Sequence, residues 1–258
     1  MANHNDNKGV ALVTGAADRI GAAIATELAA AGHRVVIHYR SQERNAEAVA
    51  TRIAAAGGEV AIVMADLAKR SDRATLIERA SKPFGPLTTL INNASTFEPD
   101  CVTDVEETLW DQHFAVHAEA PVFLARDLAE QLPDGAQGNI VNLIDERVLH
   151  LTPAYLSYTL SKSVLWTATR TLAQALAPRI RVNAVGPGPT IKHKRQTEDD
   201  FRRSVEALPL KQGPTPEEVA RAVRFLLETP AMTGQMLALD GGEHLQFPET
   251  SGPTPRKK

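Results

Sequence analysis

The sequence predicts an α/β fold in which about seven parallel strands form a doubly wound sheet with helices on both faces. Three observations carry this. Short runs rich in Val, Ile and Leu alternate with longer Ala- and Leu-rich helical patterns. Several of the short runs, 10–13, 60–64 and 236–239 among them, are apolar throughout, as in strands buried on both faces. No low-complexity linker and no repeat divides the chain. With 258 residues, 43% hydrophobic and 23% charged, a single large domain is expected over residues 9–247, with residues 1–8 and 248–258 as flexible tails.

The first strand is read at 10–14, and the run 20–31, ended by Gly32, is the first helix. A strand at 35–38 follows, then a helix at 43–56 stopped by Gly57-Gly58. Further strands are expected at 60–64, 88–91, 139–143, 180–185 and 236–239. Helical patterns at 71–81, 104–131, 154–177 and 215–227 separate them and supply the crossovers that parallel strands require. The polar stretch 191–203 lies between a strand and a helix, where open α/β sheets bind ligands. It reads as a mobile lid or as a solvated charged helix.

Composition excludes several classes. Lys and Arg number 28 against 31 Asp and Glu, a net charge of −3 that provides no broad basic surface for nucleic acid. The apolar runs stop well short of the ~18 residues that a membrane span needs. The polar first eight residues show no secretory apolar core, and Cys101, the one cysteine, permits no intrachain disulfide. A cytoplasmic location is expected.

Thr14-Gly15-Ala16-Ala17-Asp18-Arg19-Ile20-Gly21 joins the first strand to the first helix, so backbone N–H groups and the helix dipole face a bound pyrophosphate. Gly15 permits the tight turn and Gly21 the close packing behind it. Arg19 stands where many such turns carry a second glycine and offers a fixed cation to phosphate or to a bound ring. At the end of the second strand, an NAD-binding domain places a carboxylate for the ribose 2′-hydroxyl. Here the sequence is His38-Tyr39-Arg40-Ser41, with a guanidinium and a hydroxyl suited to a 2′-phosphate. NADPH is therefore the expected cofactor of a Rossmann-type domain.

Tyr158 and Lys162, four apart, share one face of a helix. An ammonium so placed is expected to draw the phenol down from its ordinary pKa of ~10 and let it pass a proton.

With Asp66-Leu67, Asn92-Asn93-Ala94, Arg181-Val182-Asn183, Pro187-Gly188 and Asp240-Gly241-Gly242, the span from about residue 10 to 242 resembles the short-chain dehydrogenase/reductase family. The resemblance implies that Asp66 and Leu67 lie beside adenine and that Asn93 and Ala94 line the cofactor cleft. It also implies that Pro187, Gly188 and Thr190 hold the nicotinamide carboxamide and that Lys162 binds the nicotinamide ribose as well. Ile20, with Gly15, Arg19 and Gly21, belongs to the phosphate turn.

The family usually carries a serine 13 positions before the tyrosine, and here 158 − 13 gives Asp145. A serine donates to a ketone oxygen, whereas an ionised carboxylate only accepts. Asp145 with Arg19, Tyr39-Arg40-Ser41 and Asn93-Ala94-Ser95-Thr96-Phe97 resembles the pteridine reductases and the related dihydromonapterin and dihydrofolate reductases. That implies Phe97 stacking a pterin, Ser95 and Arg19 contacting pterin or cofactor phosphate, and Asp145, Tyr158 and Lys162 as the catalytic set.

Bland alternatives stand beside these. Phe97 fits a core aromatic, Asp145 a surface partner of Arg147, and Arg40 an exposed charge. His117, where the family often has an Asn holding a relay water, reads equally as proton shuttle or structural residue. His113 and His117 are spaced like zinc ligands, but no further ligand supports them and no metal is expected. The expected activity is NADPH-dependent reduction of a dihydropterin or dihydrofolate. A carbonyl reductase of 3-oxoacyl thioesters or sugar ketones and an NADPH-binding sensor without turnover are the alternatives. The family resemblance implies a homotetramer assembled through helix faces at 104–131 and 154–177, with Trp166 at the contact.

Overall fold

The computed structural model describes residues 8–245. Seven strands form one sheet in the order β3-β2-β1-β4-β5-β6-β7, every neighbouring pair parallel. They are β1 Val10–Val13, β2 Arg34–Tyr39, β3 Val60–Met64, β4 Thr89–Asn92, β5 Gly138–Leu143, β6 Ile180–Pro187 and β7 Met236–Leu239. The expected doubly wound α/β fold is present, with strand ends moved by one or two residues. The tails lie outside the described residues except for Lys8, whose ammonium pairs with Glu228 at 2.7 Å.

The wholly apolar sequence of strands such as β1 follows from burial on both faces. In β1, Ala11 and Val13 point into one layer while Val10 and Leu12 point into the other. The first layer is closed by α1 (Arg19–Ala30), α2 (Glu43–Ala55) and α9 (Pro216–Glu228), through Ile24, Leu28, Val49, Ile53, Val219 and Val223. The second is closed by α4 (Leu76–Ser81), α6 (Ala120–Gln131) and α7 (Leu156–Leu176), through Leu76, Ile77, Leu124, Leu128 and Ala173. Burying a side chain of this size stabilises the fold by roughly 1.5–3 kcal/mol before entropy is counted.

Two helical expectations need correction. The run read at 71–81 is two short helices, α3 (Arg70–Arg73) and α4, and at the break between them the Asp72 carbonyl accepts from the Thr75 hydroxyl at 3.3 Å and the Arg79 guanidinium at 3.2 Å. The run at 104–131 starts later, as α5 (Glu107–Phe114), and passes through a π-helical turn at Ala115–Glu119 before α6. Such turns insert one residue and re-aim a side chain. Here that side chain is His117.

The segment 191–203 divides. Its second half opens α8 (Glu198–Glu206), which starts at a Thr197/Asp200 capping box and buries no residue, as the charged-helix reading requires. Its first half crosses the carboxyl end of the sheet as a loop.

Candidate active site

All crossovers leave the strands' carboxyl ends on one side, and the side chains singled out in the sequence gather there. The turn after β1 is fastened from β4. The Thr14 hydroxyl accepts the N–H groups of Asn93 and Ala94 at 2.9 and 3.0 Å and donates to Ile91 O at 3.2 Å. The Asn93 amide donates to Thr14 O and Gly15 O at 2.9 and 3.0 Å. Gly15 sits at φ +62°, and a Cβ on Gly21 would lie 2.3 Å from Gly15 O, so both glycines are required.

Arg19 heads α1 at φ +52°, a left-handed conformation that glycine would adopt without strain. Its guanidinium donates to Ile191 O and Lys192 O at 3.0 and 3.1 Å, tying the turn to the loop after β6. The N–H groups of Arg19, Ile20 and Gly21 have no acceptor among the described residues. Unpaired N–H groups at a helix start are the arrangement that suits an anion.

From this turn a cleft runs past the carboxyl ends of β2 and β3, lined in part by Tyr39, Arg40, Ser41, Asp66, Leu67, Ala94 and Ser95. The Tyr39 hydroxyl donates to Glu43 at 2.8 Å. Arg40 and Ser41 are exposed at the rim, and Arg40 makes no ion pair among the described residues. Asp66 caps its own turn by accepting the Ala68 N–H at 3.1 Å. On the far side, Pro187 ends β6, Gly188 N–H donates to Leu239 O at 2.9 Å, and the Thr190 hydroxyl donates to Gly188 O at 2.9 Å.

Tyr158 and Lys162 project from the first turns of α7, both buried. The Tyr158 hydroxyl donates to Asp145 Oδ2 at 2.7 Å, while Asp145 Oδ1 accepts the backbone N–H of Arg147 at 3.1 Å. Asp145 is thus a partner of the tyrosine, and its link to Arg147 runs through the backbone. Lys162 Nζ donates to Leu143 O at 2.7 Å and lies 5.7 Å from the Tyr158 ring centroid.

The expected lowering of the Tyr158 pKa is overturned. Burial first, then the charge and hydrogen bond of Asp145, hold this phenol well above 10. The carboxylate touches the hydroxyl and the ammonium does not. Burial lowers Lys162 to about 8 against the opposing pull of Asp145.

Phe97 forms the wall opposite. Its ring stacks on Tyr155 at 4.4 Å and 8°, meets the edge of Tyr158 at 4.7 Å, and is met by His193 at 5.4 Å. Tyr155 occupies the left-handed region at φ +59° just before α7, which turns its ring onto Phe97. The Arg147 guanidinium covers the Tyr155 ring at 4.9 Å.

The π-helical turn carries His117 inward. Its Nε2 accepts the Thr96 N–H at 3.1 Å and lies 3.0 Å from the Ser95 hydroxyl. Nδ1–H donates to Ser161 Oγ at 2.8 Å, and that hydroxyl donates to Tyr158 O at 2.7 Å. Burial foremost, then the charges of Lys162 and His113, keep the ring neutral. His117 is a brace between the Ser95–Thr96 strand exit and the Tyr158 helix.

His113 makes a parallel rung, Nδ1 to Ser157 Oγ at 2.6 Å, and Ser157 donates in turn to Asp100. Both histidines are thus bonded to serines. Among the described residues, no group of three or more His, Cys, Asp or Glu is arranged for a metal.

Sequence reasoning missed Ser157, Ser161, Asp100 and Tyr155. The two serines follow the same four-residue spacing as the two histidines, a signal visible in Ser157-x-x-x-Ser161 beside His113-x-x-x-His117.

A family model described as Enoyl-(Acyl carrier protein) reductase matches residues 15–244. A short-chain type dehydrogenase/reductase of Picea abies is 34% identical, covering 91% of this chain and 92% of that protein. The structure of FolM alternative dihydrofolate reductase 1 from Brucella suis, in complex with NADP, superimposes with a TM-score of 0.91. It is 50% identical and covers 93% of this chain and 97% of its own. The angucycline C-6 ketoreductase LanV with bound NADP is 30% identical, with a TM-score of 0.87 over 94% of this chain and 98% of its own.

Proposed function

The chain belongs to the short-chain dehydrogenase/reductase family of oxidoreductases, and from that premise we propose that it is an NADPH-dependent reductase of a dihydropterin or dihydrofolate C=N bond. The observation that carries this reading is the hydrogen bond from Tyr158 to Asp145 Oδ2. It puts an acceptor where reduction of a plain carbonyl needs a second donor. The 50% identity to a protein described as an alternative dihydrofolate reductase points the same way.

The cleft fits the cofactor on its own chemistry. Three free amides at the start of α1 suit a pyrophosphate. Arg40 and Ser41 suit a 2′-phosphate, and no carboxylate stands at that strand end to select a 2′-hydroxyl. Asp66 and Leu67 flank the adenosine end, Asn93 and Ala94 the middle, and Pro187, Gly188 and Thr190 the nicotinamide end. Bound there, NADPH supplies the hydride.

The chain's residues supply the rest. Asp145 accepts N–H groups of an aminopyrimidinone ring, Phe97 gives that ring an aromatic face, and Ser95 and Arg19 border it. Tyr158, held protonated, donates to the ring nitrogen, and the buried Lys162 ammonium offsets the negative charge then left on the phenol oxygen. Assembly as a homotetramer through the outer faces of α5, α6 and α7, and a cytoplasmic location, belong to the same reading.

A ketone reductase is the second reading, favoured by the similarity to LanV. The test is NADPH oxidation across dihydropterins, dihydrofolate, quinones and 3-oxoacyl thioesters, with Asp145→Ser beside wild type. Turnover of a dihydropterin or dihydrofolate that Asp145→Ser abolishes supports the proposal. Ketone turnover that Asp145→Ser spares or improves overturns it. NADPH binding without turnover on any substrate identifies a sensor.

A further inference from the structure

The imidazole of His38 lies at the end of β2, beneath the adenosine end of the cleft and 2% exposed. Its Nδ1 accepts the N–H of Gly15 at 3.0 Å, and its Nε2 lies 3.0 Å from Ala65 O. A carbonyl only accepts and an amide N–H only donates, so the two partners fix the tautomer: Nε2 carries the proton and Nδ1 is bare. The backbone of the same residue engages the next amide, Ala16 N–H donating to His38 O at 2.9 Å. The first two amides of the dinucleotide turn are thus both held by His38.

We propose that His38 is a positioning residue for the cofactor. Its neutral ring struts the phosphate turn against the Ala65-Asp66-Leu67 segment, so that the pyrophosphate and adenosine ends of the cleft are set before the nucleotide arrives. The inference rests on the NADPH-dependent reading.

Gly15, at φ +62°, is clamped on both sides, its carbonyl by Asn93 and its amide by His38. The anion is left to the amides of Arg19, Ile20 and Gly21, whose direction the clamped turn sets. At the other ring nitrogen, Ala65 immediately precedes Asp66, and Tyr39-Arg40-Ser41 follow His38 in the chain. One side chain therefore links three parts of the cleft, and a site ordered in advance binds without the cost of ordering it. Protonation would aim an N–H at the Gly15 N–H, and burial foremost, with the Arg79 charge, keeps His38 neutral down to about pH 4, with the Ala65 bond and Asp66 opposing.

The tautomer is read directly by 15N NMR of imidazole-labelled, cofactor-free protein at neutral pH. His38 is expected with Nε2 protonated and Nδ1 bare; a protonated Nδ1 overturns the proposal whatever the variants do. In fluorescence titrations of the full chain, His38→Leu is expected to weaken NADPH binding roughly tenfold or more, with the kinetic loss falling on the KM for NADPH rather than on kcat. His38→Asn, which keeps an acceptor near Gly15, is expected to recover part of that affinity. A folded His38→Leu protein that binds NADPH as wild type does overturns the strut. Failure of wild type to bind NADPH overturns the reductase reading and leaves the tautomer result to stand by itself.

Discussion

The Tyr158 hydroxyl donates a 2.7 Å hydrogen bond to Asp145 Oδ2, from a residue 13 positions further along the chain, and this pair sets the protonation of the site. Burial first, and then the carboxylate's charge and hydrogen bond, raise the phenol's pKa and keep the proton on the tyrosine. Asp145→Asn removes the charge and leaves an acceptor in place. A tyrosine is then expected to ionise at lower pH than in wild type, in an ultraviolet difference titration. Turnover of a dihydropterin should fall by about 10²-fold or more, the range for loss of a positioned acid–base group. An unchanged tyrosine titration shows that Asp145 does not govern Tyr158.

Glu146, next in the chain, should make stability depend on pH. It is buried, one carboxyl oxygen lacks a partner among the described residues, and its pKa is raised to about 8 by burial first, then by Asp145, Glu243 and Asp240, with Arg147 opposing. The folded value lies above the unfolded one, so the folded state binds more protons between about pH 4.5 and 8. Stability from this group is present below that window and lost as pH rises through it. Glu146→Gln should gain on wild type from pH 5 to pH 9, by on the order of 1–3 kcal/mol in denaturant melts. A constant difference across that range counts against a buried, protonated Glu146.

These two residues show how far the sequence can be read. The apolar strands and Tyr158-x-x-x-Lys162 were legible because period and spacing are properties of the chain alone. The sign of the Tyr158 shift was not, because it depends on how deeply the fold buries the hydroxyl and on which charge touches it. That is decided by β5 delivering Asp145 to α7. The π-helical turn at Ala115–Glu119 was likewise hidden. Local propensity does not distinguish it from a continuous helix, and its support is His117 reaching both Thr96 and Ser161. His38 gave no signal because its partners, Gly15 and Ala65, act through backbone atoms that no side-chain pattern marks.

Lys162 is expected to set an alkaline limit to the proposed activity. Burial lowers its ammonium to about 8, whereas Tyr158 titrates well above 10. Activity is expected to fall as pH rises through about 8, because the lysine then loses the charge that offsets the phenol oxygen. Lys162→Arg keeps a cation at any working pH, so its remaining activity should lack this limb. Glu146→Gln should retain it, which assigns the limb even though both groups titrate near 8. For stability the Lys162 shift has the opposite sign to that of Glu146. Its folded value lies below the unfolded one, so its unfavourable contribution fades as pH rises from about 8 towards 10.5.

Arg19 separates backbone strain from side-chain contact. It sits at φ +52° and clasps Ile191 O and Lys192 O. Arg19→Ala and Arg19→Gly lose the same two hydrogen bonds, yet alanine must still adopt the left-handed conformation and glycine does so freely. The glycine variant should therefore be the more stable of the two by roughly 1 kcal/mol in chemical denaturation. Both variants should also loosen the 191–192 loop, detectable as faster amide exchange there, since that loop loses its tie to the phosphate turn. If alanine and glycine prove equally stable, the turn relaxes once the guanidinium is gone, and the clasp itself is what holds Arg19 in its left-handed conformation.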